Sequence, residues 1–125
     1  MIKSSKILML AFALALCALT ACQREAPPLQ PLSADQIPAE MQKAFANAKP
    51  EPKNLVTALL SALESKDYAG AYQAVQMLCN SQEISEAQRT MAARASLAVH
   101  SLLQTAQAQG DPNAAAAIKE HLINK

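Results

Sequence analysis

The side chains in this sequence that could do chemistry are few and widely separated. The chain has three cysteines and two histidines, the residue types that often act as nucleophiles, general bases and transition-metal ligands. His100 and His121 fall in different predicted helices, and neither has a histidine, cysteine or carboxylate three or four residues away to complete a metal-binding face. No serine or cysteine lies in a nucleophile motif. We therefore expect both histidines at helix surfaces or boundaries, with no catalytic residue, no metal site and no cofactor.

The sequence also argues against phosphate and nucleic-acid ligands. Its only glycines, Gly70 and Gly110, are too far apart to form a phosphate-binding loop. Basic residues are scattered, without the clusters and interleaved aromatic residues of a surface that follows a phosphate backbone. We expect no nucleic-acid partner.

The N-terminus has the composition of an export signal. Lys3 and Lys6 precede an uncharged apolar run at positions 7–19, and the next charged residues are Arg24 and Glu25. A helix needs about 20 apolar residues to cross the hydrocarbon core of a bilayer, so this run is too short for a permanent span. A basic start followed by a short apolar segment is typical of a signal peptide.

The sequence Leu19-Thr20-Ala21-Cys22 resembles the lipobox of bacterial lipoproteins, in which an aliphatic residue and two small residues precede a cysteine. The resemblance implies that residues 1–21 are removed by cleavage between Ala21 and Cys22. It also implies that the Cys22 thiol carries a diacylglycerol and that the new amine is a further acylation site, which would anchor the chain in a lipid bilayer. An ordinary signal peptide cleaved at a small-residue site is the alternative.

Processing would also set the destination and charge of the mature chain. In the sorting pattern of Gram-negative lipoproteins, which this segment resembles, Gln23 rather than an aspartate after the cysteine implies the periplasmic face of the outer membrane. Loss of Lys3 and Lys6 leaves nine basic residues against ten acidic ones, a formal charge of −1.

The cysteines allow no disulfide within the mature chain. Cys17 would leave with the signal peptide and Cys22 would be consumed by lipid, so that Cys79 has no partner. Cys79 lies in an apolar helical segment, which favours a buried thiol. An intermolecular disulfide in an oxidising compartment is the alternative.

Residues 22–37 have the composition of a flexible tether. Three prolines stand among polar residues without apolar periodicity. In an extended conformation of about 3.1 Å per residue, the fifteen residues 23–37 would hold the folded part up to roughly 45 Å from the membrane. Pro38 then opens a short helix over residues 38–49, with Met41 and Phe45 on one face.

Residues 53–125 contain four further segments of helical periodicity and none with the alternation of a strand. Proline and capping residues separate the helices, and the connection before the third helix is short enough to make the second and third antiparallel neighbours. We predict an all-α domain, an antiparallel helical-hairpin array or bundle of about four to five helices. The separating residues are Pro50-Glu51-Pro52, Asp67, Ser85 with Gln88 as a capping box, and Gly110-Asp111-Pro112.

Residues 55–78 resemble a tetratricopeptide-repeat helical hairpin. The string Asp67-Tyr68-Ala69-Gly70-Ala71 is similar to the start of the second helix of that repeat, and Leu55 matches an apolar position of the first helix. The resemblance implies a solenoid of helical hairpins. A bundle of capped amphipathic helices is the alternative. The departures from the repeat pattern are Leu59, Ala62 and Glu83.

The functional expectation rests on elimination and on size. A core this small rarely supplies more than about 3–5 kcal/mol of stability, so an envelope protein or peptide partner, or self-association, would add buried surface. Tyr68 and Tyr72, four residues apart on one helix, are a candidate partner-binding surface, although this spacing is also typical of core or groove residues. We predict a non-enzymatic interaction module tethered through acylated Cys22. A small structural or stress-related envelope lipoprotein without a dedicated ligand groove is the alternative.

Overall fold

The structure is a computed structural model that describes residues 27–125 as five α-helices connected by short turns. No strand occurs in this part of the chain, which confirms the predicted all-α fold. No helix within it is long and apolar enough to cross a membrane. The predictions for the signal peptide, the cleavage site and the lipidated Cys22 lie outside the described residues. The helices are α1 (Ile37–Ala44), α2 (Pro50–Glu64), α3 (Tyr68–Cys79), α4 (Glu86–Ala108) and α5 (Pro112–Ile123), and a 3-10 turn (Ala34–Gln36) precedes α1.

The turn between α2 and α3 closes an antiparallel helical hairpin. The backbone N–H of Asp67 donates to the carbonyl of Ala62 at 2.8 Å, and that of Lys66 donates to the carbonyl of Leu63 at 3.1 Å. This pair of bonds is a Schellman motif, whose residue after the helix end adopts a left-handed backbone; here Lys66 does so, with φ of 58°. The Asp67 carboxylate then accepts the N–H of Gly70 at 3.0 Å and caps α3 as predicted.

The turn between α4 and α5 repeats this arrangement. The N–H of Asp111 donates to the carbonyl of Ala106 at 3.0 Å, and that of Gly110 donates to the carbonyl of Gln107 at 3.0 Å. Gly110 takes the left-handed position with φ of 92°, and the Asp111 side chain caps α5 by accepting the N–H of Asn113 at 2.9 Å. In both turns one residue therefore ends a helix through its backbone and starts the next through its carboxylate.

The start of α4 is the predicted capping box. The N–H of Gln88 donates to the Ser85 hydroxyl at 3.2 Å, and the N–H of Ser85 donates to the Gln88 side-chain oxygen at 2.9 Å. The Arg89 guanidinium fixes the preceding loop by donating to the carbonyls of Cys79 at 2.8 Å and Ser81 at 3.1 Å. These bonds hold the end of α3 against the first turn of α4.

The core lies where α3 packs between α2 and α4, with α1 and α5 added at the sides. Alanines at buried positions of α3, α4 and α5 allow the helices to approach closely, while a small set of larger side chains fills the space between them. Leu63 of α2 packs against this core but is only partly buried. The largest fully buried apolar side chains are Phe45, Ile37, Met41, Leu59, Leu78, Leu103, Val75 and Val99.

The folded unit begins earlier than the sequence indicates, so the predicted tether over residues 22–37 is wrong in its last part. Leu32 is only 4% exposed, and its N–H donates to the carbonyl of Arg94 at 3.3 Å. The Arg94 side chain in turn donates to the carbonyl of Gln30 at 2.9 Å. Ile37 is also fully buried. The segment is ordered because isolated apolar residues dock on α4, a contact that periodicity within the segment cannot show.

The predicted start of the domain at Lys53 is wrong for a similar reason. Ile37 and Met41 of α1 recur every four residues with Phe45, the residue directly after the helix, and the three form one fully buried face against the core. The helix predicted over residues 38–49 begins one residue earlier and ends at Ala44. The next helix begins at Pro50, inside the segment predicted to separate the helices, because proline is tolerated in the first turn, where its missing N–H has no helical partner.

Candidate functional site

An open groove of about 560 Å³ lies between α1 and the corner where α2 turns into α3. One wall comes from the 3-10 turn and α1, the other from the last turn of α2 and the first residue of α3, and a residue of α4 contributes to the floor. The lining residues are Ala34, Asp35, Pro38, Gln42, Leu60, Leu63, Glu64, Tyr68 and Leu102.

The α2–α3 turn fixes the apolar part of the groove. Leu60, Leu63 and Glu64 occupy the last turn of α2, and Tyr68 is the first residue of α3, only four residues further on. Because the Schellman motif reverses the chain between them, the tyrosine ring and the two leucines line one concave surface. Tyr68 and the leucines are partly buried, so their apolar surface is available to a ligand without unfolding.

Two carboxylates give the groove a negative charge. Asp35 and Glu64 line it, and both are exposed. Within residues 27–125 the ion-pair geometry is met only by Arg89 with Glu86, at 4.0 Å, so that neither groove carboxylate has a cationic partner there. Unpaired charges beside an apolar concavity raise the local concentration of oppositely charged ligands. The groove therefore favours a ligand that is apolar and basic.

The structure separates the two tyrosines proposed as one surface. Tyr68 lines the groove, whereas Tyr72 is only 7% exposed and its hydroxyl is hydrogen-bonded to Nδ1 of His121 at 2.8 Å. Burial raises the pKa of the Tyr72 phenol above its ordinary value, so it stays protonated. A shared Tyr68–Tyr72 platform is therefore wrong: Tyr72 is a hydrogen-bonded boundary residue, and Tyr68 alone contributes to the groove.

The same region brings together the two histidines. The ring centres of His100 and His121 lie 6.1 Å apart, and the Tyr72 ring centre lies 5.8 Å from the first and 5.5 Å from the second. Spacing within a single helix does not reveal this cluster, because the two histidines belong to different helices. Hairpin symmetry would have found it: α4 and α5 are antiparallel about Gly110 and Asp111, and the histidines lie equally far from that turn.

Cys79 lacks the surroundings of a reactive thiol. It is half-buried at the end of α3, and burial raises the pKa of its thiol, an effect that the charge of Arg89 only partly offsets. A protonated thiol is a poor nucleophile. Among the described residues, no group of three or more histidine, cysteine, aspartate or glutamate side chains is arranged to hold a metal ion.

Comparison with models of protein families, with curated proteins and with solved structures gives no match to this chain. The groove and the histidine cluster are therefore interpreted from their geometry alone.

Proposed function

We propose that this chain is a membrane-tethered, non-enzymatic interaction module of the bacterial envelope, and that its groove binds a segment of another envelope protein. The observation that carries the proposal is the combination of an apolar wall, formed by Leu60, Leu63 and Tyr68, with the unpaired carboxylates of Asp35 and Glu64. A concave apolar surface gains from desolvation when a partner side chain enters it.

The charges specify the partner's chemistry. A segment with one or two large aliphatic or aromatic side chains would fill the groove, and lysine or arginine residues beside them would pair with Asp35 and Glu64. Such ion pairs increase the association rate and the specificity against acidic competitors more than they increase the affinity. We therefore propose a short apolar segment flanked by basic residues as the bound element.

The length of the tether can be estimated from the lipobox resemblance and from the docking of Leu32 on α4. If Cys22 carries the lipid, nine residues, 23–31, separate the membrane anchor from Leu32, the first buried side chain of the described residues. At about 3.1 Å per residue they reach roughly 28 Å, shorter than the sequence-based expectation. The groove residues Asp35 and Pro38 follow Leu32 closely along the chain, so this arrangement would present the groove to partners in or near the same membrane.

Affinity capture from native envelopes tests the proposal. Glu64→Lys replaces an attraction by a repulsion in the groove and should weaken partner binding by about 1–2 kcal/mol, roughly 5- to 30-fold. The matched control is Glu51→Lys, which makes the same charge change on the first turn of α2, at an exposed position outside the groove.

The expected result is a partner retained by wild type and by the Glu51 variant and lost from the Glu64 variant. The retained partner should contain a basic-apolar segment that binds the groove as a synthetic peptide. If the Glu51 and Glu64 variants retain the same proteins equally well, the groove is not the binding surface.

A further inference from the structure

The chain contains only two histidines, and the fold places them side by side. They come from separate helices, α4 and α5, 21 positions apart in the sequence. Imidazole nitrogen is a favoured ligand of Cu²⁺, Zn²⁺ and Ni²⁺, and two imidazoles from separate rigid helices lose little freedom when they bind one ion.

We propose that His100 and His121 together bind one divalent transition-metal ion, most tightly Cu²⁺, and that Tyr72 orients the His121 ring for it. Two imidazoles leave coordination positions of the ion open, and water molecules would occupy them. Cu²⁺ is preferred because it heads the affinity order of divalent first-row metals at nitrogen ligands. The site should not bind Mg²⁺ or Ca²⁺, because these ions require oxygen donors.

The spacing of the rings fits one bridging ion. A metal–nitrogen bond of about 2.0–2.1 Å places each ring centre about 3.2 Å from the ion. Two such rings lie about 5.2 Å apart in a tetrahedral site and about 6.4 Å apart when they face each other across a square-planar Cu²⁺. The observed separation of 6.1 Å falls between these values.

The end of α5 has the freedom to adjust to an ion. Only Ala114 is fully buried in α5. Leu122 and Ile123, which directly follow His121 in the last turn, are 66% and 71% exposed. A shift of a few tenths of an ångström in His121 therefore disturbs little packing. A bound ion would in turn hold the end of α5 against α4.

Tyr72 supplies the orienting hydrogen bond. When Nδ1 of His121 carries its hydrogen, it donates to the Tyr72 oxygen across the 2.8 Å contact, and Nε2 is left with the lone pair that a metal requires. Fixing the other ring nitrogen in this way sets both the tautomer and the ring direction of a metal-binding histidine.

α3 and the part of α4 around His100 bring no cation that would oppose an ion. α3 has no charged residue over its whole length, and α4 has none between Arg94 and its end at Ala108. On α5 the nearest charged residues in sequence are Lys119 and Glu120, both exposed and of opposite sign. His100 and His121 are themselves partly exposed, so an ion can reach them without unfolding.

The test is a titration of the purified full lipoprotein, in detergent, with CuSO₄ in a weakly coordinating buffer. Electron paramagnetic resonance should show one Cu²⁺ per chain coupled to two imidazole nitrogens. His100→Gln and His121→Gln should each weaken binding at least tenfold, and Tyr72→Phe should weaken it about tenfold through loss of orientation. Cys79→Ser is the control and should bind as wild type does.

Absence of bound Cu²⁺, coupling to a single nitrogen, or equal binding by the histidine variants would each overturn the proposal. The nitrogen coupling in the wild-type protein decides the question even if a histidine variant fails to fold, which circular dichroism would reveal. Binding that is lost only in Cys79→Ser would assign the ion to the thiol and equally contradict the histidine site.

Discussion

Lys66 occupies a backbone position that suits glycine better, and Lys66→Gly is therefore expected to stabilise the domain. Its φ of 58° lies in the left-handed region, where a Cβ costs about 1–2 kcal/mol. Glycine loses more conformational freedom on folding, which offsets roughly 0.5–1 kcal/mol of that gain. The expected net stabilisation is about 0.5–1 kcal/mol.

The surroundings of Lys66 isolate this backbone effect. The side chain is exposed, and its ammonium group forms no ion pair within residues 27–125. The Schellman hydrogen bonds involve only backbone atoms and survive the change. Gly110→Ala is the matched control. Gly110 has a φ of 92°, and an added Cβ would have no atom within 4 Å, so this substitution introduces backbone strain without a steric clash. It should lower the free energy of unfolding by about 1 kcal/mol.

Urea and thermal unfolding followed by far-UV circular dichroism would measure both variants. For a domain of this size, Lys66→Gly should raise the melting temperature by about 2–8 °C, and Gly110→Ala should lower it by about 4–8 °C. A lower midpoint for Lys66→Gly, or an unchanged one for Gly110→Ala, would refute the assignment of left-handed backbone to these turns.

Four further substitutions test the core and the anchor, and a labelling experiment tests the thiol. Leu78→Ala should lower the free energy of unfolding by about 2–5 kcal/mol, because the side chain is fully buried. Leu63→Ala and Ile118→Ala should lower it by less in the same melts, since both residues are only partly buried. If Ile118→Ala lowers it most, the centre of the core lies elsewhere. Cys79 should react slowly with thiol reagents at neutral pH and faster as the pH rises toward its raised pKa, and rapid labelling of the folded protein at neutral pH would contradict this. Cys22→Ala should leave an unprocessed, unlipidated precursor, and an unmodified Cys22 in the native mature protein, seen by mass spectrometry, would exclude the lipid anchor.

The helix ends were predictable because a cap is a local interaction. Asp67, Ser85 and Asp111 each bond to backbone N–H groups within three residues, so residue type and position suffice to identify them. The apolar periodicity of the helices is local too, and it predicted the all-α class. Residue type alone did not predict that Lys66 would stand at a left-handed position, since glycine is the usual occupant.

The features that the sequence did not reveal depend on contacts between distant segments. Leu32 is buried because α4 offers the Arg94 carbonyl and an apolar surface, neither of which lies near it in the chain. The groove exists because α1 stands beside the α2–α3 corner, so that Leu63 forms part of a wall. The histidine pair likewise requires the antiparallel packing of α4 on α5.

Site-specific photo-cross-linking in intact cells would show whether the groove binds another envelope protein. A benzophenone amino acid would replace Tyr68 in the groove or, as a matched control, Gln73, which is exposed on α3 and does not line the groove. Binding in the groove should give an adduct from position 68 that Glu64→Lys suppresses, and no corresponding adduct from position 73. Equal adducts from both positions, or none from position 68, would contradict it.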